Sequence, residues 1–279
     1  MPSSQRSILM IGESNVGKSH YGAQFLKRLI VGDCALRMDG AATNLKPFEA
    51  AMDSLAEGMA IGHTAASTYV ESIWPIIDNL GASANLIWPD YGGEQVRNLI
   101  AERRVPTPWR DRILSATDWV LLIRLHTMRT ADDIFSRPIA ALSEGGAEDA
   151  QHHVSDQVRL IELLQMLLYI AGLDRDVPRD TPSLTVLLTC WDELGVQGTP
   201  LEILQEQLPM FSAFIDSTWR EPKIVGLSAL EKPLSQTDPD NEYAIHGPEQ
   251  FGFIVLPDGT HSDDITLPIQ HLLANQNGV

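Results

Sequence analysis

The sequence is short of cysteine, of aromatic residues and of positive charge, and it has no long apolar run. The two cysteines, Cys34 and Cys190, are too few and too scattered for a disulfide framework, so a reducing cytoplasmic setting is expected. Aromatic residues make up 6% of the chain, and the rest of the composition is ordinary for a globular protein.

Positive charge is scarce: the chain has 20 Lys and Arg residues against 37 Asp and Glu residues, which gives a formal net charge of −17. Nucleic acids and anionic membranes attract basic surfaces, so a broad contact with either is disfavoured. We therefore predict no nucleic-acid partner and no membrane partner. A local basic site, such as a nucleotide pocket, remains compatible with this charge.

The apolar stretches WVLLI and LLQMLLYIAG are too short or too interrupted to span a membrane. The apolar run near the N-terminus is too short for a signal peptide, which again favours a cytoplasmic protein. The 279 residues, 44% of them hydrophobic, are enough for one sizeable core.

Apolar strand-like runs alternate with helical patterns along the chain, and an early pair of runs around NLGAS resembles a hairpin. The stretch SDQVRLIELLQMLLYIAG is predicted to be a helix capped by Ser155 or Asp156, and a later helix is predicted to break at Pro209. Residues 231–250 are predicted to be a loop, and FGFIVLPDGTH a hairpin with a D-G turn.

The alternation of strands and helices predicts an α/β fold with three layers. We expect a mostly parallel six-stranded sheet with one antiparallel edge strand and helices on both faces. Ligands of such sheets bind at the carboxyl ends of the strands.

Residues 12–19, GESNVGKS, match the phosphate-loop pattern G-x-x-x-x-G-K-[ST] in full and lie between an apolar strand and a helical pattern. The glycines let backbone N–H groups face an anion at the positive end of the helix. Lys18 is predicted to bridge the β- and γ-phosphates, and Ser19 to bind Mg²⁺. The predicted nucleotide-binding residues here are Gly12, Glu13, Ser14, Asn15, Val16, Gly17, Lys18, Ser19 and His20.

A second phosphate-side motif follows the hairpin in the stretch LIWPDYGGE. Asp90 ends a predicted strand, where its carboxylate can hold Mg²⁺ through water. Gly93 can offer its N–H to a γ-phosphate, and Glu94 stands where a water-orienting side chain would be. Lys18, Gly93 and Glu94 are therefore the catalytic candidates.

Together, GESNVGKS and DYGGE resemble the Ras-like GTPases of the translation-factor-related class, and the D-x-G-G form looks most like the Arf-type branch. The resemblance implies a P-loop NTPase G domain that binds GTP and Mg²⁺ and hydrolyses GTP to GDP. Those proteins carry glutamine at the position of Glu94, where it orients the attacking water. The glutamate therefore predicts slow hydrolysis without a partner that orders the switches or adds an arginine.

The resemblance also identifies two base-side motifs. Its [NT]-K-x-D signature matches TCWD at residues 189–192, where Asp192 can accept the N1–H and N2–H₂ of guanine, a donor pair that adenine lacks. Cys190 replaces the lysine whose stem lies along the base, which implies weaker or faster-exchanging nucleotide. The base-side candidates are Thr189, Asp192, Ser228, Ala229 and Leu230, the last three matching the family's S-A-[KL] motif.

A GTPase of this kind needs a threonine for Mg²⁺ in the loop before the hairpin, and GHTAASTY offers Thr64 and Thr68. Thr64 is preferred because it lies earlier in the flexible part. We predict one G domain that covers residues 1–279. The chain is longer than a minimal G domain, and the additional length is assigned to insertions. These insertions are placed at about 32–62, 127–153 and 231–262.

TCWDEL, GESNVGKSHY and the insertions are also similar to the bacterial double-GTPase families, which gene context links to conflict and antiphage systems. Only one full motif set is present, so a second GTPase would have to be a partner chain. The expected partners are guanine nucleotide and a protein effector or activating partner. A second GTPase and a second copy of this chain are the candidates.

Two alternatives to a GTP-hydrolysing switch remain open. A P-loop ATPase or nucleotide kinase would share the phosphate loop but would not depend on Asp192 for base choice. A scaffold that holds nucleotide without turnover is motivated by Glu94 and Cys190.

Overall fold

The computed structural model describes residues 6–61, 70–90, 96, 100, 102–128, 155–173 and 178–274, with backbone alone at 70 and 90. The strands in these ranges are β1 Arg6–Gly12, β2 Leu36–Met38, β3 Val70–Asp78, β4 Ser83–Asp90, β5 Asp118–Ile123, β6 Ser183–Thr189, β7 Lys223–Ser228, β8 Phe253–Val255 and β9 His261–Ser262. The helices are α1 Lys18–Val31, α2 Lys46–Ala56, α3 Thr107–Ser115, α4 Asp156–Ile170, α5 Pro200–Gln207, α6 Pro209–Thr218, α7 Asn241–His246 and α8 Leu267–Ala274.

The strands form one sheet in the order β2-β3-β4-β1-β5-β6-β7-β8-β9. The central strands β4, β1, β5, β6 and β7 pair in parallel, and both edges are extended by antiparallel strands. The predicted α/β fold class is confirmed, although the sheet has nine strands rather than six, and antiparallel strands at both edges rather than one antiparallel edge strand. The additional strand β2 is three residues long, too short for a clear alternation of apolar residues in the sequence. Strands β8 and β9, which the predicted six did not include, are three and two residues long.

Both faces of the sheet are buried, which is why the central strands are continuous apolar runs. Ile8 and Met10 of β1 contribute to a core shared with α1, α2 and α8. Leu9 and Ile11 point to the opposite face, where α3, α4, α5 and α6 pack. The carboxyl ends of the parallel strands therefore meet at one edge between two cores.

Helix α1 is held close to the β3–β4 hairpin by aromatic side chains. The rings of Trp74 and Trp88 stack with centroids 5.1 Å apart, and Phe48 of α2 meets Trp74 edge-on at 4.9 Å. A Cβ at Gly22 of α1 would lie 2.3 Å from a ring carbon of Phe48. The glycine therefore permits the close approach that places the start of α1 against the sheet.

Several predicted boundaries are confirmed. Ser155 caps α4 by accepting a hydrogen bond from the Val158 amide at 3.4 Å, and Pro209 separates α5 from α6. Strands β8 and β9 form the predicted hairpin. The prediction of loop for residues 231–250 is wrong at α7, because Asp240 caps a helix of only six residues, too short to show a helical period.

In the part of the chain that the structure describes, no helix combines the length and apolar character needed to cross a bilayer. The assignment of all residues to one domain with three insertions stays a prediction.

Candidate nucleotide site

The predicted phosphate loop has the required strand–loop–helix setting, since β1 ends at Gly12 and α1 begins at Lys18. Asn15 and Gly17 adopt left-handed backbone conformations, with φ of 64° and 76°. A Cβ at Gly12 would lie 2.9 Å from Cγ2 of Val16, so this position is crowded as well. The loop curls tightly at the positive end of α1, where backbone N–H groups can bind an anion.

Lys18 is 7% exposed, and its Nζ donates a hydrogen bond to the carbonyl oxygen of Pro89 at 2.7 Å. Pro89 is followed by Asp90, the last residue of β4. The second phosphate-side motif therefore begins beside the phosphate loop, as its order in the chain predicts.

The base-side turn comes directly after β6. The Thr189 hydroxyl donates to the Ile123 carbonyl at 3.2 Å, which ties the end of β6 to the end of β5. Cys190 has a φ of 52°, and a 3₁₀ turn covers Trp191–Leu194. Burial raises the pKa of the Cys190 thiol to about 11, so the thiol is neutral at pH 7.

Asp192 is oriented by a serine of the neighbouring motif. The Ser228 hydroxyl donates to Oδ1 of Asp192 at 2.5 Å and accepts from the Glu231 amide at 2.9 Å. The match to the S-A-[KL] motif does not indicate this contact, in which the fully buried Ser228 side chain holds the carboxylate. The S-A-L loop is anchored in turn by Gln24 of α1, whose amide donates to the Ala229 carbonyl at 3.0 Å.

The two motifs line one cavity of about 310 Å³, near the lower end of the ~300–1,000 Å³ typical of small-molecule sites. The phosphate-loop residues on its wall are Asn15, Gly17, Lys18, Ser19 and His20. The base-side residues on its wall are Thr189, Asp192, Ala229 and Leu230. The structure thus brings together motifs that are about 170 residues apart in the chain.

The remaining predicted residues of these motifs, Gly12, Glu13, Ser14, Val16 and Ser228, do not line the cavity. Glu13 pairs with Arg159 of α4, through Nε to Oε1 at 2.7 Å and Nη2 to Oε2 at 2.8 Å. The Glu13 side chain is 5% exposed. Its predicted contribution to nucleotide binding would therefore come from the backbone amide.

His20 connects the phosphate loop to the segment that precedes Thr64. Its Nε2 accepts a hydrogen bond from the Ile61 amide at 3.2 Å. Burial, and secondarily the charge of Arg124, lower the pKa of His20 to about 4. The ring is therefore a neutral acceptor at pH 7.

Sequence reasoning missed other parts of the wall. Arg124 is the first residue after β5. A charged side chain at the carboxyl end of a buried strand could have indicated a residue of the site. Ile61, Lys232 and Leu234 come from two predicted insertions, and the Ala60 amide joins these insertions by donating to the Ser235 carbonyl at 2.8 Å. No local pattern indicated that these segments would meet at the cavity.

Five predicted features lie outside the described residues. These are Thr64, Thr68, Gly93, Glu94 and the side chain of Asp90. Of the predicted metal ligands, only Ser19 has a described side chain. Across the described ranges, no cluster of three His, Cys, Asp or Glu side chains could hold a metal ion.

A phosphate loop and the Asp192 carboxylate line one cavity beside a parallel sheet, an arrangement expected of a P-loop nucleotide-binding protein. The family model Double-GTPase 1 matches residues 9–272. The chain belongs to this family and is a GTP-binding protein, which confirms the predicted resemblance.

Two solved structures show limited similarity to this chain. A bacterial selenocysteine-specific elongation factor, EF-Sec, is 14% identical, with a TM-score of 0.35 over 81% of this chain and 26% of the other. Roco2 RocCORdC of Methanosarcina barkeri, bound to GDP, is 14% identical, with a TM-score of 0.31 over 82% of this chain and 44% of the other. This chain thus spans less than half of either structure. No curated protein matches the sequence at a significant level.

Proposed function

We propose that this protein binds GTP with Mg²⁺, hydrolyses it to GDP and acts as a nucleotide-dependent switch. The observation that carries the proposal is the Asp192 carboxylate, held by Ser228 in the wall of a cavity that the phosphate loop also lines. A family whose members are named GTPases supports the same chemistry.

Guanine recognition follows from the acceptor capacity of Asp192. An ionised carboxylate has about four lone-pair sites, so the hydrogen bond from Ser228 leaves capacity for the N1–H and N2–H₂ donors of guanine. Adenine presents no such pair of donors. The arrangement therefore supports a preference for GTP over ATP.

The phosphate end would combine Lys18 with Mg²⁺. The residues proposed to hold the ion are Ser19, Asp90 and Thr64 or Thr68, all of them oxygen donors of the kind that Mg²⁺ prefers. The contact of Lys18 with the Pro89 carbonyl supports this set, because it brings the end of β4 to the phosphate loop. When bound, Mg²⁺ neutralises charge on the β- and γ-phosphate oxygens.

Hydrolysis is proposed to be slow in the isolated protein. Glu94 can accept a hydrogen bond from the attacking water, but its charge would face a polyphosphate. A protein partner that orders the switches or supplies an arginine would raise the rate. We propose a second GTPase or a second copy of this chain as that partner, in the cytoplasm and in a bacterial conflict or antiphage system.

Base recognition is tested first by mass spectrometry of the nucleotide that co-purifies, expected to be GDP or GTP. In Asp192→Asn, the Ser228 bond can be kept while an amide NH₂ opposes the guanine donors. We expect GTP affinity to fall roughly 10- to 100-fold, as for a lost charged hydrogen bond, and xanthosine triphosphate to be preferred. Exposed Asp216→Asn on α6 is the matched control. An unchanged preference in Asp192→Asn would remove the guanine assignment.

Turnover is tested by phosphate release from GTP with the wild type, Lys18→Ala and Glu94→Gln. Lys18→Ala should abolish release, and Glu94→Gln should raise it because a neutral amide can orient water. A wild-type rate equal to that of Lys18→Ala would replace the switch with a scaffold that holds nucleotide without turnover.

A further inference from the structure

Arg124 joins the phosphate loop to the base-side turn. Its Nη1 donates to the Asn15 carbonyl at 3.2 Å, and its Nε donates to Oε2 of Glu193 at 2.9 Å. Its Nη2 completes a two-pronged contact with the same carboxylate at 2.5 Å. One guanidinium therefore spans both motifs, and all three residues line the cavity.

The sheet order explains how one side chain reaches both segments. Strand β5, which Arg124 follows, lies between β1 and β6, from which the phosphate loop and the base-side turn emerge. The planar guanidinium offers donors in a fixed fork that fits a carboxylate and still leaves one edge for a carbonyl. With side-chain exposures of 26% for Arg124 and 19% for Glu193, the pair is largely shielded from water.

The charge of Arg124 lies where the motif itself supplies none. In the [NT]-K-x-D signature a lysine occupies the position of Cys190, and here that position carries a neutral thiol. Arg124 is close enough to influence Cys190 and Asp192 electrostatically. The Arg124 cation, at the end of β5, thus lies beside a base-side turn that has no lysine at position 190.

We propose that Arg124 is a positioning residue for guanine nucleotide, which clamps the base-side turn to the phosphate loop and replaces the cation missing at position 190. The inference rests on the proposed function, because the ligand is a guanine nucleotide. The clamp holds the base-side turn and the phosphate loop at a fixed separation. Its loss allows Asp192 and the phosphate loop to move apart and speeds nucleotide release.

The test measures the release rate of fluorescently labelled GDP from the full chain. Arg124→Gln removes the charge and is expected to release GDP roughly fivefold faster, the scale of one partly exposed charged contact. Arg112→Gln is the matched control, because Arg112 makes a similar two-pronged pair with Glu71, at exposures of 30% and 25%, outside the cavity lining. Its release rate should stay within about twofold of the wild type.

A rescue experiment separates the clamp from an ordinary ion pair. Cys190→Lys in the Arg124→Gln background places an ammonium on the same wall, at a residue whose backbone is already left-handed. GDP release should slow to within about twofold of the wild type. If the Arg124–Glu193 pair were only structural, a lysine at position 190 would not restore the contacts made from the end of β5, and release would stay fast. Arg124→Lys alone should give an intermediate rate.

The outcomes distinguish the two levels of the proposal. A wild type that binds no labelled GDP contradicts the proposed function itself. A wild-type release rate in Arg124→Gln overturns the clamp, and fast release without rescue by Cys190→Lys overturns the replacement of the missing cation. If Arg124→Gln does not fold, Glu193→Gln weakens the same pair and should release GDP about threefold faster. Unchanged release in that variant overturns the clamp as well.

Discussion

Gly226 of β7 packs against Trp191, which precedes Asp192, the proposed base-reading residue. An added Cβ would lie 2.7 Å from two indole carbons of Trp191 and 3.1 Å from Cβ of Val255. Carbon atoms prefer separations of about 3.5–4.0 Å, so Gly226→Ala must displace the indole by about 1 Å. Trp191 is 5% exposed and belongs to the core on the α3–α6 face of the sheet, so its indole moves only by displacing other core side chains.

The displacement reaches the site because Trp191 immediately precedes Asp192 in the same 3₁₀ turn. Overpacking of this kind costs about 1–3 kcal/mol of the free energy of unfolding. A shift of Asp192 would weaken both of the hydrogen bonds proposed between its carboxylate and guanine, which we expect to lower GDP affinity roughly tenfold, or about 1.4 kcal/mol. The effect on binding should therefore appear in protein that is still folded.

The assay pairs urea unfolding with titration of fluorescent GDP. Val225→Ala is the control, since Val225 is 2% exposed, packs on the opposite face of β7 and should cost about 2 kcal/mol of stability through a cavity. It should leave GDP affinity unchanged. Wild-type affinity in folded Gly226→Ala, or an equal loss in Val225→Ala, would refute the reasoning.

Two further predictions concern single buried groups. Gln24→Leu leaves the carbonyls of Ala229 and Pro248 without the donor now at 3.0 and 2.8 Å, and should cost about 2 kcal/mol in urea unfolding; unchanged stability would contradict this. Because burial raises the pKa of Cys190 to about 11, its thiolate at pH 8 is about one part in a thousand. In the Cys34→Ser variant, where Cys190 is the remaining thiol, iodoacetamide should modify Cys190 far more slowly in the folded protein than in urea. Bound GDP should slow the modification further. Equal rates in the folded and the urea-unfolded protein would contradict the burial of Cys190.

Much of the fold was predictable from local patterns. A strand buried on both faces must be apolar throughout, so the central strands are visible as runs such as that at residues 183–189. The short edge strand β2 was not, because three residues carry no measurable period. Capping residues such as Ser155 and the break at Pro209 act within one turn of helix, so they also could be identified locally.

The chemistry of the site was predictable only where a residue acts through its own type and spacing. Lys18 and Asp192 belong to short motifs whose function depends on neighbours in the chain, and both line the cavity. Arg124 and Gln24 act on partners more than 100 residues away, as their bonds to Asn15 and Ala229 show. No spacing in the chain encodes such contacts.

The sequence by itself determined that this protein has a phosphate loop followed, about 170 residues later, by a carboxylate suited to guanine. The tertiary structure alone decided how those two elements are held relative to each other. A motif is a local property of the backbone, whereas the separation of two loops depends on strand order and on side chains that bridge neighbouring strands. That is why Ser228 and Arg124 acquire their roles only in the folded chain.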